Sequence, residues 1–364
     1  MNKVKNIITI TLFAVVCFGF SAVIIFGSKK DYSMTERRSL KKAPVFSVQS
    51  LLSGKFMSDF DDFTLDQFPL RDRFRSVKAN FDHYLLFKKD NHGLYLTNGY
   101  LSKMEYPEND DFINRNLNKL NSVYKEYLKD SDCKIYLSVI PDKNYFLAPL
   151  GNYPVMNYEK VISTVKTKLN YAEYIDIFPL LKLDDYYYTD QHWRQENLEP
   201  VAKKIGEKMG TDLFLKMKTE TLENPFYGTY YGQASLNVKP DIIQYLTDSI
   251  LENTVVTSYN SGSPKEASMY DMKKAFGRDP YEMFLGGADP LITIENKNAE
   301  SEKELIIFRD SFGSSLAPLF VSAYSKITLI DLRYIQSGMI KNYLEFSNQD
   351  VLFLYSTLIL NNQL

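Results

Sequence analysis

The sequence predicts an α/β fold in which a mostly parallel sheet carries helices on both faces, behind an N-terminal membrane helix. Three observations support this. An uncharged apolar run occupies Ile7 to Gly27 near the start of the chain. From residue 110 onward, apolar strand-like runs alternate with helical patterns, as they do in β-α-β units. A tyrosine-rich stretch, residues 215–280, breaks that alternation and predicts a β-rich insertion or lid.

The bulk composition indicates one sizeable domain and excludes several classes of protein. Of 364 residues, 45% are hydrophobic and 24% are charged, which is typical of a chain with a large core. The net charge of −2 provides no basic surface to neutralise a phosphate backbone, so nucleic acid is not an expected partner. Of the two cysteines, Cys17 lies in the apolar run, which excludes a disulfide scaffold based on Cys17 and Cys133.

The apolar run predicts that residues 1–28 form a membrane anchor. As a helix rising ~1.5 Å per residue, Ile7 to Gly27 would cross a hydrocarbon core of ~30 Å. A cleaved signal peptide is the rival interpretation, because Lys3 and Lys5 give a positive start. The run is long for a signal peptide, however, and no A-x-A cleavage site follows it. We therefore expect a single-pass protein of the cell membrane.

The orientation of this helix is left open by its flanking charges. The positive-inside rule alone would place the main domain in the cytoplasm, because more basic residues follow the helix than precede it. Long C-terminal domains can cross the membrane despite such charges, so the rule does not settle the orientation, and an extracytoplasmic main domain is expected against it. The basic residues after the helix are Lys29, Lys30, Arg37, Arg38, Lys41 and Lys42.

The rest of the chain divides into a linker and a main domain. Residues 29–50 are charged and without periodicity, which predicts a tether, and residues 51–364 form the main domain, with the insertion at 215–280. Apolar spacings predict two short amphipathic helices in residues 51–90, interrupted at Pro69. Further predicted elements are a hairpin at Asn98-Gly99, helices at Asp110–Asp130, at Tyr158–Leu169 and after Trp193 as far as Met209, and strands at residues 133–140, 172–177, 305–308, 326–332 and 351–355.

Ser311 is the candidate nucleophile. An apolar strand, ELIIF, leads into Arg309-Asp310-Ser311 and then into a helical pattern. Open α/β folds bind their ligands at the carboxyl ends of sheet strands, and a serine at such a turn is presented to the ligand. The alternative is an ordinary Asp/Ser helix cap, which is common at strand-to-helix junctions.

His192 is the candidate general base, and Asp190 is the candidate carboxylate that orients it. Residues two apart in extended chain project to the same side, so the carboxylate could orient the imidazole and stabilise its protonated form. A purely structural histidine is the alternative. His192 is still the natural general base for Ser311, because the other two histidines, His83 and His92, lie in a helical stretch and a polar turn. No metal site or cofactor is expected, since no second histidine or cysteine lies at ligand spacing.

These stretches resemble the DHHW family, which is related to alginate O-acetyltransferase proteins of the SGNH-hydrolase type. In that family a D-x-H motif precedes the nucleophilic serine, as Asp190, His192 and Ser311 do here. The resemblance implies a three-layer αβα sandwich with Ser311 as nucleophile, His192 as base and Asp190 as its orienting carboxylate. Supporting stretches are SGKFMSDFDDFTLDQFPLRDRF, GLYLTNGYL, VIPDKNYF, FLGGADPLI, IDLRYI and VLFLY.

The resemblance also implies a function. It implies an extracytoplasmic O-acyltransferase, of the O-acetyl kind, that modifies an exopolysaccharide or cell-wall glycan beside a multispanning membrane-bound O-acyltransferase partner. An esterase would use the same three residues with water as acceptor, and a non-catalytic glycan-binding assembly factor could keep the same fold.

Two positions depart from the family pattern. Only the one at Ala288 is expected to bear on activity, because residue 191 is expected to face away from the Asp190–His192 pair. Gln191 stands between Asp190 and His192 where the family has histidine, and Ala288 stands where relatives often carry an asparagine that could serve the oxyanion hole. Loss of one oxyanion donor typically costs ~2.7–4 kcal/mol of transition-state stabilisation. The donors expected to replace it are the backbone N–H groups of Gly286, Gly287 and Phe312.

Lys143 follows a core strand, which makes it a candidate substrate contact. The alternative is a solvated loop lysine.

Overall fold

The computed structural model describes residues 2–362 and 364, and this part of the chain divides into two compact units. We call them the anchor unit and the main unit. The anchor unit runs from the N-terminus to His92 and includes Tyr231–Asn237, while the main unit contains Gly93–Tyr230 and the chain from Val238 onward.

The anchor unit begins with a helix that is long and apolar enough to cross a membrane. Lys3–Phe26 contains an 18-residue window with a mean hydropathy of 2.6, and no residue of that window is buried. Within the predicted linker, two short strands pair antiparallel. The elements of this unit are α1 (Asn2–Phe26), β1 (Tyr32–Ser33), β2 (Arg38–Ser39), α2 (Val48–Leu52), α3 (Lys55–Asp66) and α4 (Arg71–Tyr84).

The main unit alternates strands and helices as the sequence predicts. Its strands are β3 (Leu94–Thr97), β4 (Tyr100–Lys103), β5 (Lys134–Ile140), β6 (Glu173–Tyr174), β7 (Lys218–Phe226), β8 (Asp241–Thr247), β9 (Val255–Ser258), β10 (Lys265–Ala267), β11 (Leu291–Glu295), β12 (Glu304–Arg309), β13 (Lys326–Ile330) and β14 (Asp350–Ser356). Its α-helices are α5 (Asp110–Val123), α6 (Lys143–Gly151), α7 (Tyr158–Lys168), α8 (Glu199–Lys208), α9 (Thr229–Ala234, ending in the anchor unit), α10 (Ser249–Glu252), α11 (Met272–Ala275), α12 (Ser311–Leu316) and α13 (Thr357–Leu360).

Shorter helical segments complete the main unit. Tyr124–Leu128 is a π-helical turn that continues α5. The 3₁₀ segments are Phe178–Leu180, Leu183–Asp185, Gln195–Asn197, Pro280–Met283, Ala317–Ala323 and Ser337–Asn342.

The central sheet is mostly parallel, which confirms the predicted fold class. Its strand order is β10-β9-β11-β13-β12-β14-β5-β6. The pairs from β13 to β6 are parallel, and the pairs from β10 to β13 are antiparallel. β12 lies between β13 and β14 and is parallel to both. The loop that follows it therefore lies at the carboxyl ends of the parallel strands, where ligands bind in such folds.

Alternate residues of the inner strands face two separate cores. Leu305 and Ile307 of β12 face one core, which α8 covers, whereas Ile306 and Phe308 face the other, which α5 and α7 cover. A strand buried on both faces explains the continuous apolar run that the sequence shows there. The resulting layers are helix, sheet and helix.

The stretch predicted as an insertion is β-rich and contributes to two sheets. β7 and β8 form a separate antiparallel ribbon, in which Phe226 pairs with Asp241. β9 and β10 instead extend the central sheet by pairing beyond β11.

Helix boundaries differ from the sequence prediction where proline intervenes. The helix predicted after Trp193 begins at Glu199, with Pro200 in its first turn, and a 3₁₀ turn at Gln195–Asn197 precedes it. Proline favours the first turn of a helix, because its missing N–H has no intrahelical partner there. The hairpin at Asn98-Gly99 is confirmed, with both residues at positive φ between β3 and β4.

Candidate active site

Ser311 lies at the carboxyl end of β12 as the first residue of α12. Asp310 fixes this turn: its Oδ1 accepts the Phe312 N–H at 3.0 Å, and its Oδ2 accepts the N–H and hydroxyl of Ser356, at the end of β14. The turn therefore includes the Asp helix cap that was the alternative interpretation of this motif. Ser311 nevertheless remains partly exposed, and its side chain points towards a histidine.

Asp190 and His192 lie in a tight buried loop. An antiparallel bridge between Tyr186 and Trp193 closes the loop, and the Tyr187 N–H donates to the His192 carbonyl at 3.1 Å. The D-x-H spacing predicted extended chain here. Instead the chain bends, because the Asp190 carboxylate accepts the His192 backbone N–H at 3.1 Å, a local contact that favours a turn.

The structure brings Ser311, His192 and Asp190 together. His192 Nε2 lies 2.7 Å from Ser311 Oγ, and His192 Nδ1 lies 2.5 Å from Asp190 Oδ1. The second carboxylate oxygen, Oδ2, accepts the Thr229 N–H at 2.8 Å. Asp190 and His192 are both buried.

This geometry allows proton transfer from the hydroxyl to the imidazole. An ionised carboxylate only accepts hydrogen bonds, so the proton on His192 resides on Nδ1, and Nε2 accepts from Ser311. The Gln191 side-chain amide also lies 3.4 Å from His192 Nε2, so residue 191 does not face away from the site as expected. The buried carboxylate can then stabilise the imidazolium that forms. The arrangement is suited to activating a serine for attack on an acyl carbon.

The loop of residues 186–193, which we call the histidine loop, is hydrogen-bonded directly to α12, the helix that begins with Ser311. The Trp193 indole donates to the Phe312 carbonyl at 3.2 Å and to Ser315 Oγ at 2.9 Å. Gln195 adds a bond from its side-chain amide to the Ser315 carbonyl at 2.8 Å. Trp193 is the single tryptophan of the chain and is fully buried, so a large side chain also fills the space between the two segments.

Tyr281 is a residue of the site that the sequence analysis missed. Its ring stacks on the His192 imidazole at a centroid distance of 3.7 Å and an interplanar angle of 4°. Its hydroxyl is paired with Ser315 Oγ at 2.9 Å. Tyr281 therefore limits rotation of the imidazole away from Ser311. No local motif surrounds it, and only the tertiary structure reveals its place.

Lys143 is buried beneath the histidine loop. It follows β5, where the sequence suggested a substrate contact or a solvated lysine, but its side chain is only 1% exposed. The ammonium group donates to the carbonyls of Tyr187 at 2.8 Å and Asp190 at 2.6 Å, with Tyr188 at 3.4 Å. Burial lowers the pKa of Lys143 to about 7, and the charges of Asp241 and Asp190 oppose that lowering.

Asp241 binds the same loop through its N–H groups. Its Oδ1 accepts the Tyr188 N–H at 2.8 Å, and its Oδ2 accepts the N–H and hydroxyl of Thr189 at 2.8 and 2.6 Å. Arg194 pairs with the same carboxylate at 2.7 Å. A buried cation thus satisfies the loop carbonyls while a buried anion satisfies the loop amides, which holds Asp190 in place.

The glycines proposed as oxyanion donors lie in a turn just after the segment that carries Tyr281. Gly287 donates its N–H to the Phe284 carbonyl at 3.3 Å, and the Gly286 carbonyl accepts from Lys274. Both glycines have positive φ, and Ala288 follows them as an exposed residue. The N–H groups of Phe312 and Gly287 are thus already engaged within the protein.

Solved structures share this architecture. A DHHW family protein from Eubacterium siraeum aligns with a TM-score of 0.61 at 23% identity, over 75% of this chain and 94% of that chain. The chain has the DHHW fold. PatB1 of Bacillus cereus aligns at 17% identity both with a sulfonyl adduct (TM-score 0.57, 72% and 93% covered) and without it (TM-score 0.55, 74% and 97% covered).

The likeness confirms the resemblance to the DHHW family at the level of the fold. Comparison of the sequence with protein-family profiles and with curated proteins finds no match. The roles of individual residues therefore depend on the geometry of this site.

Gly228 is a position where the fold leaves no room for a side chain. A Cβ there would lie 2.3 Å from Asp190 Cβ and 2.6 Å from the Asp190 nitrogen. We expect Gly228→Ala to displace Asp190 and to slow modification of Ser311 by a sulfonyl fluoride roughly 100-fold, the cost of a ~1 Å misplacement. The rate is measured by mass spectrometry.

The matched control is Gly338→Ala. A Cβ at Gly338 meets no atom within 4 Å, so this variant should react at the wild-type rate. Equal rates for Gly228→Ala and the wild type would contradict the proposed constraint on Asp190.

Lys143→Met tests the buried ammonium. The variant leaves the carbonyls of Tyr187 and Asp190 buried without their donor, and we expect it to lower the free energy of unfolding by roughly 3 kcal/mol. Urea unfolding followed by tryptophan fluorescence measures this. Lys129→Met, at an exposed lysine, should change the same quantity by less than about 0.5 kcal/mol. Equal stability of the two variants would rule out the structural role of Lys143.

Proposed function

We propose that this protein is an O-acyltransferase, of the O-acetyl kind, that is anchored in the cell membrane and modifies an exopolysaccharide or cell-wall glycan outside the cytoplasm. The observation that carries the proposal is the 2.7 Å contact between His192 Nε2 and the partly exposed Ser311 hydroxyl, with Asp190 on the opposite imidazole nitrogen. A histidine whose two nitrogens face a serine and a buried carboxylate is the arrangement that acyl transfer requires.

In the first half of the proposed reaction, Ser311 takes the acyl group from the donor. Ser311 Oγ attacks the acyl carbonyl carbon while His192 Nε2 takes the hydroxyl proton. The tetrahedral intermediate then collapses, the bond to the leaving group of the donor breaks, and His192 returns its proton to that group. Ser311 remains as an acyl ester.

In the second half, a sugar hydroxyl replaces the donor. His192 takes the proton of that hydroxyl, whose oxygen attacks the acyl-serine carbon. Collapse of the second intermediate forms the sugar ester and returns the proton from His192 to Ser311 Oγ. Asp190 stays ionised throughout and stabilises the imidazolium in both halves.

The proposed oxyanion donors are the backbone N–H groups of Gly286, Gly287 and Phe312. Because the Phe312 N–H donates to Asp310 and the Gly287 N–H donates to Phe284, these two groups would have to exchange their present bonds for the oxyanion. Such an exchange would make acyl transfer slower than in a site whose donors are free.

The proposed location and partner follow from the N-terminal helix and from the resemblance. A span of the length and hydropathy of α1 would hold the main unit at the membrane surface. There it would receive acyl groups from a multispanning membrane-bound O-acyltransferase, the partner that the family resemblance implies.

Ser311→Ala tests the proposed nucleophile. Without the hydroxyl no acyl ester can form, so we expect acylation of the polymer to fall roughly 10⁴-fold or more, and labelling of the protein by a sulfonyl fluoride to disappear. PatB1 has been solved with a sulfonyl adduct, which makes a sulfonylating reagent a natural probe. Mass spectrometry locates the label, and the ester content of the polymer reports the transfer.

Ser314→Ala is the matched control on the same helix. The Ser314 hydroxyl is buried and has no hydrogen-bond partner within the described part of the chain, so its removal should leave labelling and acylation unchanged. Normal polymer acylation in cells that carry only Ser311→Ala would refute the proposal. Release of free acid without transfer to an oligosaccharide would instead identify an esterase, and acylation that needs the fold but not Ser311 would identify an assembly factor.

A further inference from the structure

Helix α4 of the anchor unit has its polar side towards the protein and its apolar side towards the outside. Arg71 and Arg75 pair with Glu36, and Asp82 is buried, all on the inner side of the helix. The residues that point outward are apolar and exposed: Leu70 is 59% exposed, Phe74 49%, Val77 69%, Phe81 49% and Leu85 63%. A helix that faces water has the opposite pattern.

The outward residues form one continuous stripe with basic borders. Leu70, Phe74, Val77, Phe81 and Leu85 are separated by steps of three or four residues, so they lie on one face of the helix. At 3.6 residues per turn, Arg73 falls on one border of this stripe and Lys78 on the other, and both are exposed. An apolar face flanked by basic residues is typical of a helix that lies at a membrane interface.

Contacts with α1 place this stripe beside the membrane helix. The Phe20 ring lies 5.0 Å from the Phe68 ring and 6.1 Å from the Phe74 ring, centroid to centroid. Phe20 precedes the end of α1 at Phe26 by six residues, which is ~9 Å along the helix axis. If α1 spans the bilayer up to Phe26, then Phe68 and Phe74 lie at the depth of the acyl chains.

Hydrogen bonds of Gln67 and Lys29 stabilise the segment in which the chain leaves α1. The Gln67 side chain is paired with the Lys30 backbone in both directions, at 3.0 and 2.9 Å. Lys29 Nζ donates to the carbonyls of Ile24 and Ile25 at the end of α1. Basic side chains at this level suit the headgroup region, just outside the acyl chains.

We propose that the apolar stripe of α4 is immersed in the lipid leaflet that surrounds the C-terminal end of α1, with Arg73 and Lys78 at the phosphate headgroups. The inference rests on the proposed membrane anchoring and goes beyond it, because it assigns a second membrane contact to the chain. Lipid is favoured over a protein partner because the stripe is continuous with the surface of α1 through Phe20, Phe68 and Phe74 and has basic borders.

Phe81→Trp in the full-length chain tests the proposal. The variant is placed in vesicles of phosphatidylcholine and phosphatidylglycerol whose acyl chains carry bromine either near the headgroup or near the chain end, and tryptophan emission in each is compared with that in unbrominated vesicles. Bromine quenches only tryptophan that reaches the acyl chains. We expect the tryptophan at position 81 to emit at shorter wavelength than an exposed one and to lose intensity in brominated lipid. Val77→Trp should behave in the same way.

Three measurements make the result decisive. The native Trp193 is fully buried in the main unit, and the wild-type protein gives its contribution. Phe276→Trp is the matched control, since Phe276 is an exposed phenylalanine of the main unit, 59% exposed, and it should show no quenching beyond the wild type. Phe13→Trp, near the middle of α1, reports whether that helix spans the bilayer.

The outcomes separate this inference from the anchoring on which it rests. Quenching at positions 13 and 81, but not at 276, supports it. Quenching at position 13, with position 81 behaving like 276, overturns the inference and leaves the anchor intact. No quenching at position 13 overturns both. Protection of position 81 only when another membrane protein is co-purified identifies a protein-binding face and also overturns the inference.

Discussion

The active-site loop can be buried only because its backbone polar groups find partners inside the protein. Buried carbonyl and N–H groups without partners cost about as much as lost hydrogen bonds, and irregular loops have no regular ladder to satisfy them. Here one buried lysine accounts for the carbonyls of Tyr187 and Asp190, and one buried aspartate accounts for the N–H groups of Tyr188 and Thr189. The opposite charges of Lys143 and Asp241 also stabilise each other across the loop. The position of His192 depends on this pair.

The parallel sheet provides the second half of the site. β5 and β12 end at the same edge, so Lys143 and Ser311, which are far apart in sequence, start helices on the same side of the fold. The loop between Tyr186 and Trp193 then needs only short contacts to reach the serine helix, and the Trp193 indole makes them. The geometry at Ser311 is thus set by rigid strand ends and one large buried side chain.

Sequence reasoning could identify the groups that bear the chemistry but not those that hold them. Ser311 follows an apolar strand, and His192 is one of few histidines with a carboxylate two residues away, so both could be selected from local pattern. The predicted local conformation of Asp190 and His192 was wrong: extended chain was expected, and the chain bends instead because the Asp190 carboxylate accepts the His192 N–H. Tyr281 and Asp241 have no such signal, since each contact joins segments about 50 to 90 residues apart. Lys143 was noticed for its place after a strand, yet its burial depends on loop carbonyls that no sequence pattern encodes.

The β7–β8 ribbon has a consequence for efforts to shorten this protein. The connection between its strands supplies Gly228, against which Asp190 packs, and the Thr229 amide that binds the second carboxylate oxygen, while β8 begins with Asp241. A truncated version that keeps the central sheet and removes the ribbon would retain the serine and the histidine but lose the groups that fix the acid between them. A minimal scaffold would therefore have to keep the whole ribbon, because its other end is also part of the core: Leu246 is buried there, and its N–H donates to the Gln195 side chain at 2.8 Å.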